Sequence, residues 1–414
     1  MLLLYRAIFF LIVLIGSPYL LIKAIWGKHG ISERLGIISA RRSIGRLFWF
    51  HAASVGELKV LSTVIPELKK ILPEVEIAIS TTTATGKRRA RQLFPDAFIF
   101  LQPLEINSAI LRVVENLRPE KLILVETELW PLLINTVADR GVEIFLINAR
   151  MSARSFKFYR WFRTLVSKTI SRITGILAQS QLDADRFAHL GAGRIQVVGN
   201  TKFDQVFTES LGKESAITPP ANDLLVFVAG SVRKGEDEIF ADVIASSLLK
   251  KLPVFFALAP RHMKDVGELR GHLNARNIAH SLWTQTGRDG VDFDSVLIVD
   301  TMGDLTSFYK SADLAFVGGS IVPIGGHDPA EPAALAVPVL FGPHMENADF
   351  AARLLLKRGA ASEVRNADDI IRAIENAFKD RQALKERGLR GREAIASAAG
   401  VSSKLASIIA GIKA

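Results

Sequence analysis

From about residue 47 onward, short and almost unbroken apolar runs alternate with longer stretches whose apolar residues recur at helical spacing. Unbroken runs mark parallel strands covered on both faces, and the longer stretches mark the helices that cover them. A first series of candidate strands is 47–52, 75–80, 97–101, 121–126, 143–148, 174–178 and 195–198. A polar stretch with paired prolines, 205–223, then reads as a linker. A second series follows at 224–229, 253–258, 296–300, 313–317 and 337–341, and the tail over 367–412 is helical in pattern. Two βα series in tandem predict two doubly wound, Rossmann-like domains facing each other across a cleft. Ligands of such sheets bind beyond the carboxyl ends of the strands, so functional residues should follow directly on the apolar runs.

One apolar run stands outside this alternation. The segment from Ala7 to Ile22 carries no charge, and Gly16 and Pro18 interrupt it. A spanning helix needs about 20 apolar residues, so this one is marginal. A cleaved signal peptide would show a small-residue site after a short apolar core, and no clean one is present. A buried soluble helix is not normally apolar all round. A membrane anchor over 1–27, spanning the bilayer or lying in it, explains both the run and the basic residues after it, which stay on the cytoplasmic side.

Composition narrows the class. The chain has 414 residues, 49% hydrophobic and 23% charged, which excludes a disordered or polytopic protein. It has no cysteine, which removes disulfides, thiolate nucleophiles and cysteine zinc sites. The formal net charge of +10 suggests an anionic partner, and a basic nucleic-acid-binding protein is one reading of it. Its distribution argues otherwise. Residues 1–50 carry +6, residues 150–172 carry +7, and the remainder carries −3. The chain is a near-neutral body with two basic patches.

Polar, charged and glycine residues concentrate where the fold rule predicts them. His51-Ala-Ala-Ser54-Val-Gly56-Glu57 follows the first strand, and Glu126-Thr-Glu128 follows the fourth. Glu57 sits at a helix start, where an acid is stabilised by the helix dipole, or serves as a general base. Glu126 ends a buried strand and has to be paired or functional. Thr81–Lys87 is not a phosphate loop, because it lacks the first glycine and the final hydroxyl of that motif. Asp183-Ala-Asp185 and Asp292-Phe-Asp294 have the spacing of metal-dependent sugar-nucleotide enzymes but read better as capping or solvated acids. No nucleophile elbow surrounds His51 and Ser54. Met302-Gly303-Asp304 begins a predicted helix and offers free N–H groups to a phosphate. Asp328 and Glu331 share one face of another, where a carboxylate can hold ribose hydroxyls or simply cap the helix.

The ordered segments HAASVGEL, TTTATG, VETELWP, INARMSARS, GNTKFD, APRH, DTMGDL, AFVGGS and GGHDPAEPAALAVPVLFGPHMEN span roughly 30–400. In this order the chain resembles the 3-deoxy-D-manno-octulosonic acid (Kdo) transferases of lipopolysaccharide synthesis. The resemblance implies a GT-B fold, with an acceptor-binding domain over 28–208 and a CMP-sugar donor-binding domain over 220–397. A C-terminal helix over 398–414 is a candidate to pack back on the N-terminal domain. It implies inverting transfer from CMP-Kdo to a lipid A precursor (lipid IVA), without metal or cofactor, at the cytoplasmic face of the inner membrane. Another GT-B enzyme using a UDP-sugar is the alternative. Carried over by motif, Glu57 corresponds to the general base, and Glu126 and Lys202 to transition-state stabilisers. Pro260, Arg261, Met302, Gly303, Asp304, Asp328, Pro329, Ala330 and Glu331 correspond to CMP contacts.

Three positions depart from the family pattern. Arg233 stands where a histidine is usual, Asp304 where a glutamate is usual, and Asp328 where an asparagine is usual. Arginine keeps a donor but fixes its charge. These changes bear on donor specificity rather than on the reaction class. The second basic patch interleaves Arg154, Lys157, Arg160 and Arg163 with aromatic residues. It is read either as a solvated surface helix or as a contact to the anionic membrane and the acceptor's phosphates.

Overall fold

The computed structural model describes residues 30–39, 45–211, 214–219 and 224–412. The expected anchor lies outside these residues. Among the described residues no helix is long and apolar enough to cross a membrane. The chain forms two compact units, one of Met1–Gln205 with Gly400–Ala414 and one of Val206–Ala399.

The first unit is built on seven strands: β1 (Leu47–His51), β2 (Glu76–Thr81), β3 (Phe98–Leu101), β4 (Lys121–Val125), β5 (Glu143–Ala149), β6 (Gly175–Ala178) and β7 (Ile195–Val197). They pair in the order β3-β2-β1-β4-β5-β6-β7, and every pairing is parallel. Side chains alternate between the two faces. Phe48 and Phe50 enter one core, with Leu58, Leu61 and Val64 of the Val55–Ile71 helix and Leu405 and Ile409 of the Val401–Ala410 helix. Leu47 and Trp49 enter the other, with Ile110 and Val113 of the Asn107–Leu117 helix and Leu132 and Leu133 of the Pro131–Ala138 helix. Burial on both faces is why the strands read as unbroken apolar runs.

The second unit repeats the plan with β8 (Leu225–Val232), β9 (Val254–Pro260), β10 (His280–Leu282), β11 (Val296–Ile298), β12 (Leu314–Val317), β13 (Val339–Phe341) and β14 (Ala361–Glu363). Their order is β10-β11-β9-β8-β12-β13-β14, again wholly parallel. Gly230 on β8 is fixed by packing. A Cβ there would lie 1.9 Å from the hydroxyl of buried Tyr309.

Sequence reading missed β10 and β14. Both are three-residue edge strands with half-exposed or polar positions, so they carry no apolar run. The expected linker is also partly wrong. The Lys202–Leu211 helix runs into it, and Ala216 and Ile217 are buried in the second unit's core. Ala216 N–H donates to Ser307 O at 3.0 Å. The helical tail is three helices, Ala367–Lys379, Arg381–Ala398 and Val401–Ala410.

The last of these helices belongs to the first unit. Its start has no side-chain cap of its own. Asp204 supplies one from afar: its Oδ1 accepts from Gly400 N–H at 2.5 Å and its Oδ2 from Ser402 N–H at 2.6 Å. Ser402 Oγ donates to Thr63 Oγ1 of the Val55–Ile71 helix at 2.8 Å, both side chains buried. Hydrogen bonds to a charged acceptor are the stronger kind, so Asp204→Ala should destabilise the first unit by about 2–3 kcal/mol. Hydrogen exchange over 401–410 should rise before that elsewhere in the unit. Unchanged protection there would show that the capping carries no weight.

Candidate active site

In the first unit the functional side chains stand at the carboxyl ends of β1, β4 and β5. The chain leaves β1 and turns at Ser54, the N-cap of the Val55–Ile71 helix. Ser54 Oγ accepts from Glu57 N–H at 3.3 Å and donates to Glu57 Oε1 at 2.9 Å, while Glu57 Oε2 accepts from Ala53 N–H at 2.6 Å. This is a capping-box arrangement, with an N-cap hydroxyl and an acid three residues on. Such a cap contributes about 1 kcal/mol. Thr82 of the TTTATG segment braces the same turn by donating to Ala53 O at 2.6 Å. Thr83 caps the Ala84–Leu93 helix.

Capping alone would favour the ionised form of Glu57. Its carboxyl nevertheless has its pKa raised to about 7. Burial is the main cause, the Ala53 and Ser54 hydrogen bonds work against it, and Glu128 and Glu126 add repulsion. The dipole-stabilised acid and the poised base are therefore the same group. A carboxyl that titrates near neutrality exchanges protons readily at physiological pH.

Glu126 follows β4 with φ 62°, a left-handed backbone conformation that is uncommon for a residue with a side chain. Its N–H donates to Ile147 O at 3.0 Å. Burial raises its pKa, Arg150 lowers it, Glu128 raises it and Lys202 lowers it, with a net upward shift. The structure thus brings Glu57, Glu126 and Lys202 into one electrostatic neighbourhood, joined by Glu128 and Arg150. Thr127 Oγ1 donates to Arg150 O and fixes the two loops to each other. Arg150 belongs to the second basic patch by sequence, yet it acts on the acid at the end of β4. Asn148, at φ 49°, lies at a register irregularity near the end of β5.

Glu128 is held differently. Burial raises its pKa, but His51, whose Nε2 lies 3.5 Å from Glu128 Oε2, and the Trp130 indole N–H at 2.6 Å outweigh that and set it below the ordinary value. His51 Nδ1 pairs with Ser80 Oγ at 2.9 Å rather than with Ser54.

The second unit is organised by Glu236, a fully buried carboxylate. It accepts from the N–H groups of Arg233, Gly319, Ser320 and Ile321 at 2.8–3.0 Å. One side chain thereby ties the loop after β8 to the loop after β12. Gly318 has no room for a Cβ, which would lie 2.3 Å from Ser231 O. Arg233 Nη1 lies 2.8 Å from His262 Nε2. His327 is pushed down to about 4 by burial and by Arg261, Arg233 and His262, so it is neutral at pH 7. Arg261, next to Pro260 at the end of β9, and Asp328 thus converge on His327. Asp328 and Glu331 also face the Tyr309 hydroxyl, whose pKa burial drives well up. Asp328 Oδ1 accepts from Ala330 N–H at 3.0 Å, with Pro329 between them.

Met302 and Gly303 lie on an exposed turn, and Asp304 Oδ2 accepts from Thr301 Oγ1 at 2.5 Å. The helix that follows, Leu305–Tyr309, has five residues, so the expected dipole contribution there is small. Ser180, not Asp183, is the N-cap of the Gln181–His189 helix, and the buried Asp183 carboxylate accepts instead from Met151 N–H at 2.8 Å and from the Ser180 hydroxyl. Sequence reasoning had no signal for the roles of His51, Glu128, Glu236 and His327, which depend on loops distant in the chain.

No side chain of the Ala153–Trp161 helix is fully buried, though Phe156 and Tyr159 pack half-buried on the core. Arg154, Lys157, Arg160 and Arg163 are exposed, Trp161 is 87% exposed, and Arg160 lies 5.8 Å from the Phe156 ring centroid.

Comparison with known proteins follows the same division of the chain. Residues 29–205 match the family described as 3-deoxy-D-manno-octulosonic-acid transferase (kdotransferase). The 3-deoxy-D-manno-octulosonic acid transferase of Haemophilus influenzae is 31% identical, over 87% of this chain and 86% of its own length. A bifunctional glycosyltransferase/methyltransferase of Fusobacterium nucleatum is also 31% identical, and this chain spans 57% of that longer protein. A glycosyltransferase structure from Rickettsia africae aligns with TM-score 0.58 and 11% identity, over 89% of this chain and 99% of its own. That likeness shows the fold, two parallel-sheet Rossmann-like domains of the GT-B-like class. The chain belongs to the Kdo transferase family and is a glycosyltransferase.

The raised carboxyl has a consequence for stability. Folded Glu57 keeps its proton up to about pH 7, whereas the unfolded side chain loses it near 4.5. Between those values the folded state binds more protons, so this group's contribution to stability falls as pH rises through that window. Urea midpoints measured from pH 4.5 to 8 should decline less steeply for Glu57→Gln than for the parent. Parallel profiles would show that Glu57 titrates normally.

Proposed function

We propose that the chain transfers Kdo from CMP-Kdo to a hydroxyl of a lipid A precursor, with inversion and without a metal or cofactor. The observation that carries the mechanism is the Glu57 carboxyl, capped and buried yet poised near neutral pH. In this reading Glu57 removes the acceptor hydroxyl proton as the acceptor oxygen bonds to the anomeric carbon. The bond from that carbon to the phosphate oxygen of CMP breaks, and its electron pair leaves with the nucleotide. Inversion needs this single base and no covalent enzyme intermediate.

Lys202 and Glu126 are assigned to the developing charges. Lys202 suits the carboxylate of Kdo or the departing phosphate, and Glu126, partly neutralised by Arg150, suits positive charge at the sugar ring. CMP is assigned to Pro260 and Arg261, Met302 to Asp304, and Asp328 to Glu331. In support of this, Arg261 and Arg233 bring two guanidinium groups to the neighbourhood of His327 and Asp328, and the Asp328 and Glu331 carboxylates have the chemistry to accept from ribose hydroxyls.

In this reading the reaction takes place at the cytoplasmic face of the inner membrane. The apolar N-terminus and the exposed basic and aromatic Ala153–Trp161 helix support that reading.

Incubation of the purified protein with CMP-Kdo and lipid IVA, followed by mass spectrometry, should show Kdo added to the lipid. Glu57→Gln should give no product while CMP binding persists. Product from UDP-sugars alone would overturn the donor assignment, and substantial turnover by the variant would overturn the base. Separately, R160E/R163E should bind anionic vesicles several-fold more weakly than the parent in co-sedimentation. Unchanged binding would remove this helix from the membrane contact.

A further inference from the structure

His51 is fully buried at the end of β1, and no part of the proposed reaction uses it. Parallel pairing of β1 with β2 sets it directly beside Ser80. Trp49, two residues earlier on the same face, donates its indole N–H to Ser80 Oγ at 2.8 Å. An indole N–H only donates, so Ser80 must accept from Trp49 and send its own proton elsewhere. Phe50 O is 3.5 Å away and His51 Nδ1 is 2.9 Å away, so the nearer acceptor is the imidazole. His51 then carries its proton on Nε2. That buried atom has no hydrogen-bond partner within the usual geometry, and Glu128 Oε2 lies 3.5 Å from it. The opposite tautomer would turn a bare lone pair toward a carboxylate. Trp49 and Ser80 therefore favour a His51 that presents its N–H on the side of Glu128, which itself takes the Trp130 indole N–H at 2.6 Å.

We infer that His51 and Trp130 are positioning residues that hold Glu128 ionised near Glu57, and that the fixed charge of Glu128 adds to the basicity that burial gives Glu57. This rests on Glu57 being the base. Glu57 is faced by Glu126 and Glu128 from the loop after β4. Glu128 is faced by His51 from β1 and by Tyr159 from the Ala153–Trp161 helix. Arg150 and Lys202 act on Glu126. Glu128 is thus a nearby negative charge on the base that has its own dedicated donors. A like charge raises the proton affinity of its neighbour, so the second acid of the Glu-Thr-Glu segment tunes the base without touching substrate.

The test is the pH dependence of kcat/KM with CMP-Kdo and lipid IVA. In the parent the acid limb should fall away below about pH 7, because the base must be deprotonated to act. Glu128→Gln should lower the apparent pKa of that limb by about 0.5–1. Its rate at pH 6, relative to its own plateau at pH 8.5, should therefore rise, and the plateau should fall because a weaker base takes the proton less readily. Histidine 15N NMR of the parent at pH 8 should show His51 as the Nε2–H tautomer, and Ser80→Ala should weaken that preference.

An acid limb unmoved in E128Q, or His51 as the Nδ1–H tautomer, would overturn the inference. So would an E128Q protein that binds CMP normally yet is inactive at every pH, since Glu128 would then act in the chemistry itself. Failure of the underlying reading looks different: Glu57→Gln would keep turnover with the parent's acid limb.

Discussion

Three carboxylates stand buried or half-buried at the carboxyl edge of the first sheet, and the cost of burying them close together is the constraint around which that edge is arranged. Left alone, neighbouring buried acids would share protons or expel one another toward water. Here each has a different remedy. Glu128 is given donors and stays ionised. Glu126 is given Arg150 and Lys202, which offset burial only in part. Glu57 is given a backbone N–H and a serine hydroxyl, which do not suffice, and its proton affinity rises to the useful range. Unequal compensation of similar groups is how one site separates a base from stabilising charges.

The backbone bears part of the cost. Glu126, Asn148 and Ser231 all adopt left-handed conformations at or just beyond strand ends. Such residues cost on the order of 1–3 kcal/mol each and persist only where their surroundings over-determine them. In the first unit the surroundings are hydrogen bonds between loops, such as Thr82 to Ala53 and Thr127 to Arg150. In the second they centre on Glu236, whose four backbone donors lock the turn carrying Arg233 against the glycine-rich loop after β12.

The fold was largely legible because it is buried on both faces of each sheet. Strands such as Phe98–Leu101 or Leu314–Val317 have nowhere to place polar side chains and announce themselves. The edge strands His280–Leu282 and Ala361–Glu363 are under no such pressure and were invisible. The site was legible in position but not in pairing. Glu57 could be placed at a helix start, yet its titration depends on Glu126 and Glu128, some seventy residues away along the chain. Sequence argued against a His51–Ser54 dyad but could not name the partner of His51, which strand register shows to be Ser80. Register between parallel strands is set by the whole sheet, and no local spacing reveals it. Arg150 was counted in a surface patch by composition, although its charge falls on Glu126.

The return of the Val401–Ala410 helix to the first unit sets a timetable for biosynthesis. Val401, Leu405, Ala406 and Ile409 complete a core whose other buried members lie before residue 199. At about 5–20 residues per second, a ribosome needs on the order of 10–40 s to make the intervening second unit. Throughout that interval the nascent first unit shows the apolar face of its Val55–Ile71 helix to solvent, with Asp204 holding no helix end. The second unit, contiguous in sequence, can close while the first still waits. The earlier-made half of the protein is therefore the later to finish folding, and it is the half that a holding chaperone would need to shield.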